Sequence, residues 1–172
     1  MDLPKRKQPR LKGYDYSTSG AYFITICTHN RKCLLSHIVG AIHESPENKL
    51  TQYGQFAEEI IKALPDRFDV SIPKYVIMPN HIHLIIEIMN DTDKRAIRES
   101  PLRYNRSCID KIVGFFKMNV SKRIHTTYSD KVWQRSYHDH IIRGEEDYKK
   151  IWEYIDTNII KWETDCFYSK NI

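Results

Sequence analysis

From His81 to Ile88 the chain reads His-Ile-His-Leu-Ile-Ile-Glu-Ile. Side chains of a strand alternate between its two faces. Read as a strand, Ile82, Leu84, Ile86 and Ile88 make one continuous apolar face, and His81, His83, Ile85 and Glu87 make the other. The first face demands a layer packed against a sheet. Pro79-Asn80 before it is a turn signal, and residues 71–78 read as another strand.

The remaining elements follow from similar patterns. Tyr22, Phe23, Ile24, Thr25 and Ile26 lie in a β-branched and aromatic run at residues 21–28. A polar turn at His29-Asn30-Arg31-Lys32 leads to a second extended stretch over 33–42, and Ser45-Pro46-Glu47-Asn48 reads as a loop. Phe56, Ile60, Ala63 and Leu64 recur at helical spacing over residues 51–64, with Pro65 closing that helix. Residues 90–107 are polar and read as a long loop. A second helix is predicted over 108–124, with Ile109, Ile112, Val113, Phe116 and Val120 on one face. A strand is predicted near 137–143. A third helix over 145–161 opens with acids that suit a helix N-terminus. The order strand, strand, helix, two strands, helix, strand, helix predicts an α+β fold, an antiparallel sheet with helices packed on it.

At 172 residues and 41% hydrophobic content the chain suits one domain with a real core. Residues 1–20 read as a basic arm and 21–172 as the domain. No apolar run approaches the ~18–20 residues of a membrane span, and the N-terminus carries no apolar signal region, so a cytoplasmic location is expected. Cys27, Cys33, Cys108 and Cys166 form no Cys-x-x-Cys pair, which argues for reduced thiols and against structural zinc. The net charge of +5 is unevenly spread: residues 1–35 carry +5, 36–90 carry −3, 91–143 carry +6 and 144–172 carry −3. Two basic blocks attract polyanions, nucleic acid above all, if the fold joins them. A solvated lysine-rich surface is the alternative.

His81 and His83 project side by side from one strand face that is otherwise sparse. Two neutral imidazoles so placed can share one metal ion, although a further ligand is needed. Two histidines on a half-exposed strand face are the ordinary alternative. On the third helix, Tyr148, Trp152, Ile155 and Ile159 read as the core stripe. Tyr154 and Asn158, four residues apart, share another face. A phenol is a weak nucleophile with a reference pKa of about 10, so it needs a base, or a metal on the group it attacks. Asn158 offers a carbonyl oxygen to the two-histidine site.

The ordered set of Val76-Ile77-Met78-Pro79-Asn80, His81-Ile82-His83 and Tyr154 with Asn158 resembles the single-tyrosine transposases of the HUH superfamily, in particular the REP-associated tyrosine transposases. Tyr22-Phe23-Ile24-Thr25, the stretch from Trp133 to Arg143, and Asp147-Tyr148 add to the resemblance, which covers residues 12–162. It implies a ferredoxin-like sheet with the histidine pair on a central strand. It also implies a divalent ion, Mg²⁺ or Mn²⁺, on His81 and His83, with Asn158 as third ligand. Tyr154 would attack a phosphate of single-stranded DNA near a hairpin, leaving a 5′-phosphotyrosine and a free 3′-OH, and reversal would rejoin strands. Relatives that exchange strands in pairs are dimers and domesticated ones act as monomers, so a homodimer stays open. Many REP-associated members have Asn-Pro one turn after the tyrosine. Here Asn158 is followed by Ile159, which leaves the helix end open.

Arg31, Arg135 and Arg143 lie beside the family-like stretches and are expected to contact phosphates, which positions DNA without reading sequence. Lys5, Arg6, Lys7, Arg10 and Lys12 of the arm are candidates to grip a hairpin stem. Trp133 and Tyr137 can stack on bases or belong to the core. His138-Asp139-His140, a second His-x-His, reads mainly as sheet-edge polarity or a DNA contact, with a metal role as the lesser alternative. Two other functions fit parts of the pattern. One is a catalytically silent nucleic-acid-binding module. The other is a small-molecule phosphoesterase, which wants a third alternating histidine where this chain has Ile85.

Overall fold

The computed structural model describes residues 18–40, 46–89 and 107–168. The elements run β1 (Gly20–Cys27), β2 (Ser36–Val39), β3 (Glu47–Leu50), α1 (Gln52–Phe68), β4 (Val70–Ile77), β5 (His81–Ile88), α2 (Cys108–Ile124), β6 (His138–Ile141) and α3 (Glu145–Thr157), with 3-10 turns at His29–Arg31 and Trp162–Thr164. The main sheet has the order β4-β5-β1-β6, antiparallel throughout, and β2-β3 form a separate ribbon. With the ribbon set aside, the path βαββαβ and this strand order are those of a ferredoxin-like fold. The expected fold class is therefore observed.

The alternation in β5 places the site. Ile82, Leu84 and Ile86 join Tyr22, Ile24 and Ile26 in a core closed by Ala57, Ile61 and Leu64 of α1 and Ile109, Ile112, Val113 and Phe116 of α2. The opposite face is not sparse, as the sequence suggests. Ile85 is fully buried there with Val76, Met78, Ile151, Ile155 and Trp162, because α3 covers that side of the sheet. His81 and His83 are thus buried, not half-exposed.

Four local expectations are corrected. Glu47 and Asn48, read as loop, open β3, because pairing with β2 and a bond from Asn48 Nδ2 to the Ile77 carbonyl (2.8 Å) outweigh their polar composition. The stretch at 33–42 contributes only Ser36–Val39 as strand. Pro65 does not close α1. It sits in the last turn, where a missing N–H removes only one bond, and the helix ends at Asp69, whose left-handed φ of 54° caps it with an N–H to the Pro65 carbonyl. Helix α3 ends at Thr157 rather than 161; it buries Ile151 and Ile155, and the buried line continues past its end through Asn158, its C-cap, and Trp162 of the 3-10 turn. Tyr148, Trp152 and Ile159 pack only at the edge of that cluster. A carboxamide thus occupies the buried C-cap of α3.

Candidate metal and nucleophile site

Strand β5 holds His81 and His83 with their ring centroids 4.5 Å apart. Each has its Nδ1 engaged. His81 Nδ1 meets Asn80 Oδ1 at 2.8 Å, and His83 Nδ1 meets Thr25 Oγ1 at 2.8 Å across the β1–β5 pairing. Both Nε2 atoms remain for the site. Phe23 stacks on His83 at 5.1 Å and Phe167 lies 4.7 Å from His81, so aromatic walls fix both rings.

Helix α3 brings Tyr154 and Asn158 to the same place. The Tyr154 phenol oxygen lies 3.3 Å from His83 Nε2 and donates to Asp165 Oδ2 at 3.2 Å. Asn158 Nδ2 donates to that same oxygen at 3.2 Å. Asp165 is the residue that sequence reasoning missed. It follows the 3-10 turn after α3, folds back onto the site, and accepts the Phe167 N–H through Oδ1 at 2.6 Å. Its position depends on that turn and on the burial of Trp162, and no spacing rule signals it.

Ligand atoms of His81, His83 and Asp165 lie within 4.8 Å of one another. The fit to a cation has a sharper test. His81 Nε2 and Asn158 Oδ1 are both buried without a hydrogen bond, although the two side chains are close enough to interact. Buried polar atoms lacking a partner are costly. Two acceptor atoms facing one space are what a cation satisfies, and with His83 and Asp165 they give a mixed nitrogen and oxygen donor set.

Electrostatics follow from burial. Desolvation, with the Arg31 charge adding to it, pushes His81 down to about 3, and desolvation with the neighbouring His81 holds His83 well below its ordinary value. Both are neutral at pH 7, as metal ligands must be. Burial and the Asp165 charge push the Tyr154 phenol up to about 12. The histidines also set an acid response. The unfolded chain protonates them near pH 6.5 and the folded chain does not, so the unfolded state binds more protons below that pH. Stability of the metal-free protein should be full above about pH 6.5 and fall as the pH drops, by up to ~1.4 kcal/mol per pH unit for each histidine. Urea midpoints between pH 7.5 and 5 check this, and His81→Gln should flatten the decline.

The other candidate residues are dispersed. Arg31 is at the rim, its guanidinium donating to the Cys166 carbonyl at 2.8 Å and lying 5.2 Å from the Phe167 ring. Arg135 and Arg143 are exposed, and the contacts that build the site do not involve them. Lys5, Arg6, Lys7, Arg10 and Lys12 lie outside the described residues. Trp133 is buried, with Nε1 donating to the Lys117 carbonyl at 3.2 Å, so it is core and not a stacking platform. Tyr137 donates to Asp110 at 3.2 Å. His140 pairs with Asp147 at 2.8 Å on an exposed edge, and His138-Asp139-His140 forms no metal-type cluster among the described residues. Ile85, where a phosphoesterase triad would want histidine, is core. Among the described residues no helix is long and apolar enough to cross a membrane.

No family model matches the chain. An uncharacterised Haemophilus influenzae protein is 38% identical over 173 aligned positions, covering 95% of this chain and 93% of its own length. A candidate REP-associated tyrosine transposase of H. influenzae is 25% identical over 149 positions, covering 86% of this chain and 74% of that protein. The REP-associated tyrosine transposase of Escherichia coli K12 is 24% identical over 146 positions, covering 85% and 70%. A solved REP-associated tyrosine transposase bound to a REP hairpin superposes with a TM-score of 0.61 at 19% identity, over 88% of this chain and 73% of that one, which places the fold. In its ordered motifs and in sequence over most of its length the chain is similar to the REP-associated tyrosine transposases, and it shares their fold.

Proposed function

We propose that the chain nicks and rejoins single-stranded DNA beside a hairpin, with Tyr154 as nucleophile and a divalent ion on His81, His83, Asn158 and Asp165. The observation that carries this reading is the Tyr154 phenol oxygen, 3.3 Å from His83 Nε2 and 3.2 Å from Asp165 Oδ2, at the mouth of a buried donor set. Tyr154 is 36% exposed, so a strand can reach it while the histidines stay dry. The bound ion would polarise the scissile phosphate and offset its charge. Mg²⁺ or Mn²⁺ suits the oxygen donors, and the two imidazoles favour Mn²⁺.

In the nicking step the Tyr154 oxygen forms a bond to phosphorus and the bond to the 3′ oxygen breaks, with the electron pair leaving on that oxygen. Asp165 already accepts the phenol hydrogen bond, which makes its carboxylate the nearest acceptor for the proton. The 5′-phosphotyrosine keeps the bond energy, so attack by another 3′-OH rejoins strands without an external energy source. In this reading Arg135 and Arg143, both exposed, would hold phosphates, and Arg31 would do so only by leaving the Cys166 carbonyl. The relative solved with a REP hairpin supports a hairpin as the structured part of the substrate.

Incubation with hairpin-bearing single-stranded DNA and Mn²⁺ should give a covalent protein–DNA adduct on a denaturing gel, and EDTA should abolish it. Salt-sensitive binding that EDTA leaves untouched, with no adduct under any divalent ion, would instead assign a silent DNA-binding module.

A further inference from the structure

Asn80 has no exposed surface and sits where four parts of the chain meet. Its backbone carbonyl accepts from Thr28 N and from Thr28 Oγ1, both at 2.9 Å, at the end of β1. Its side-chain Oδ1 meets His81 Nδ1 at 2.8 Å. Its Nδ2 donates to the Arg31 carbonyl at 3.3 Å and to the Phe167 carbonyl at 2.8 Å. The preceding Pro79 carbonyl accepts from Leu35 N at 3.0 Å. Every polar atom of the carboxamide is committed, half to the histidine and half to the chain on either side of the site.

The direction of these bonds matters. Nδ2 faces two carbonyls, which can only accept, so Nδ2 is the nitrogen and Oδ1 is the oxygen. An oxygen facing His81 Nδ1 requires the proton there, which leaves the Nε2 lone pair free toward Asn158 and Asp165. The same amide holds Phe167, two residues beyond Asp165, so the histidine ligand and the late-chain carboxylate are oriented by one side chain.

We propose that Asn80 is a positioning residue that selects the ligand-competent tautomer of His81 and, through the Phe167 carbonyl, docks the segment that carries Asp165. The proposal rests on the reading of His81 as a ligand. It gives the Pro79-Asn80 turn a chemical task beyond reversing the chain. Few other residues can do both tasks, since one atom must accept and its neighbour must donate. Aspartate keeps the first and loses the second; alanine loses both.

The test uses ¹⁵N-histidine-labelled, metal-free full chain at neutral pH. His81 should show an unprotonated Nε2 and a protonated Nδ1; the opposite tautomer in wild type overturns the proposal, with no variant needed. In Asn80→Ala the His81 tautomers should mix, and Mn²⁺ affinity by titration calorimetry should fall roughly 10–100-fold. Asn80→Asp should keep the wild-type His81 pattern, while the Phe167 N–H, held by Asp165 Oδ1 only while the segment is docked, exchanges roughly tenfold faster, as loss of the Asn80 bond to the Phe167 carbonyl loosens that docking. An Asn80→Asp variant with unchanged Phe167 exchange, or an Asn80→Ala variant with unchanged tautomer and affinity, overturns it. His81→Ala separates the two readings: if it binds Mn²⁺ as tightly as wild type, the metal site falls, and the tautomer measurement still decides the role of Asn80.

Discussion

Tyr154→Phe should abolish the covalent adduct with hairpin-bearing single-stranded DNA, to background, while hairpin affinity stays within about twofold. Removal of a nucleophile costs orders of magnitude in rate, because no other group takes its place. The chain has eleven tyrosines, so substitution by another phenol is the competing outcome. The structure argues against it for the best placed. Tyr22 is fully buried and donates to the Thr18 carbonyl, Tyr148 donates to Glu87, and Tyr137 donates to Asp110. Only Tyr154, among the described tyrosines, has its hydroxyl recorded against a site histidine. The variant loses one hydrogen bond from a partly exposed phenol, so its stability should lie within about 1 kcal/mol of wild type. Mn²⁺ affinity should change little, since the phenol is not counted among the donors. An adduct of wild-type yield in Tyr154→Phe would show that the nucleophile lies elsewhere. Loss of Mn²⁺ binding together with the adduct would make Tyr154 part of the ligand set.

Legibility in the sequence tracked the range of the interaction. The two faces of β5 could be read because alternation is local, and Ile82, Leu84 and Ile86 do line the larger core. Helix α2 matches its expected limits because Ser107 caps it through Asp110 N and its apolar face is continuous. The pairing of Tyr154 with Asn158 was legible as helical spacing, and both side chains do converge on one carboxylate oxygen. That oxygen belongs to Asp165, which was not legible. It reaches the site only because the chain turns after Thr157 and buries Trp162. The strand β3 was hidden for a similar reason, its polar residues being held by β2 and the Ile77 carbonyl. The core stripe of α3 misled because Tyr148 and Trp152 are large and aromatic, whereas burial selects Ile151 and Asn158. Asn158 is buried as a polar donor, a choice that apolar periodicity has no means to register.

Gly54→Ala should destabilise the protein by about 3 kcal/mol, lowering the melting temperature by roughly 6–12 °C for a domain of this size. Helix propensity alone predicts the opposite sign, since alanine in place of a helical glycine is worth about 1 kcal/mol in favour of folding. Packing decides the matter. Gly54 lies in the first turn of α1, and a Cβ there would stand 2.0 Å from the Leu35 carbonyl oxygen, with Leu50 Cβ at 3.3 Å on another side. The obstacle is backbone, and it is pinned: the Leu35 carbonyl accepts from Thr51 N at 2.9 Å and from Thr51 Oγ1 at 3.0 Å, while Leu35 itself is fully buried. Relief needs a shift of Leu35 or of the helix start, and either breaks the Thr51 cap. The strain then reaches the site, because Leu35 N is bonded to the Pro79 carbonyl next to Asn80 and His81. Mn²⁺ affinity should therefore fall along with stability. A thermal melt and a calorimetric titration on the same sample separate the possibilities. A rise in melting temperature would mean that propensity outweighs the collision at Leu35. A fall with unchanged Mn²⁺ affinity would mean that the β4–β5 turn holds His81 independently of the helix that packs behind it.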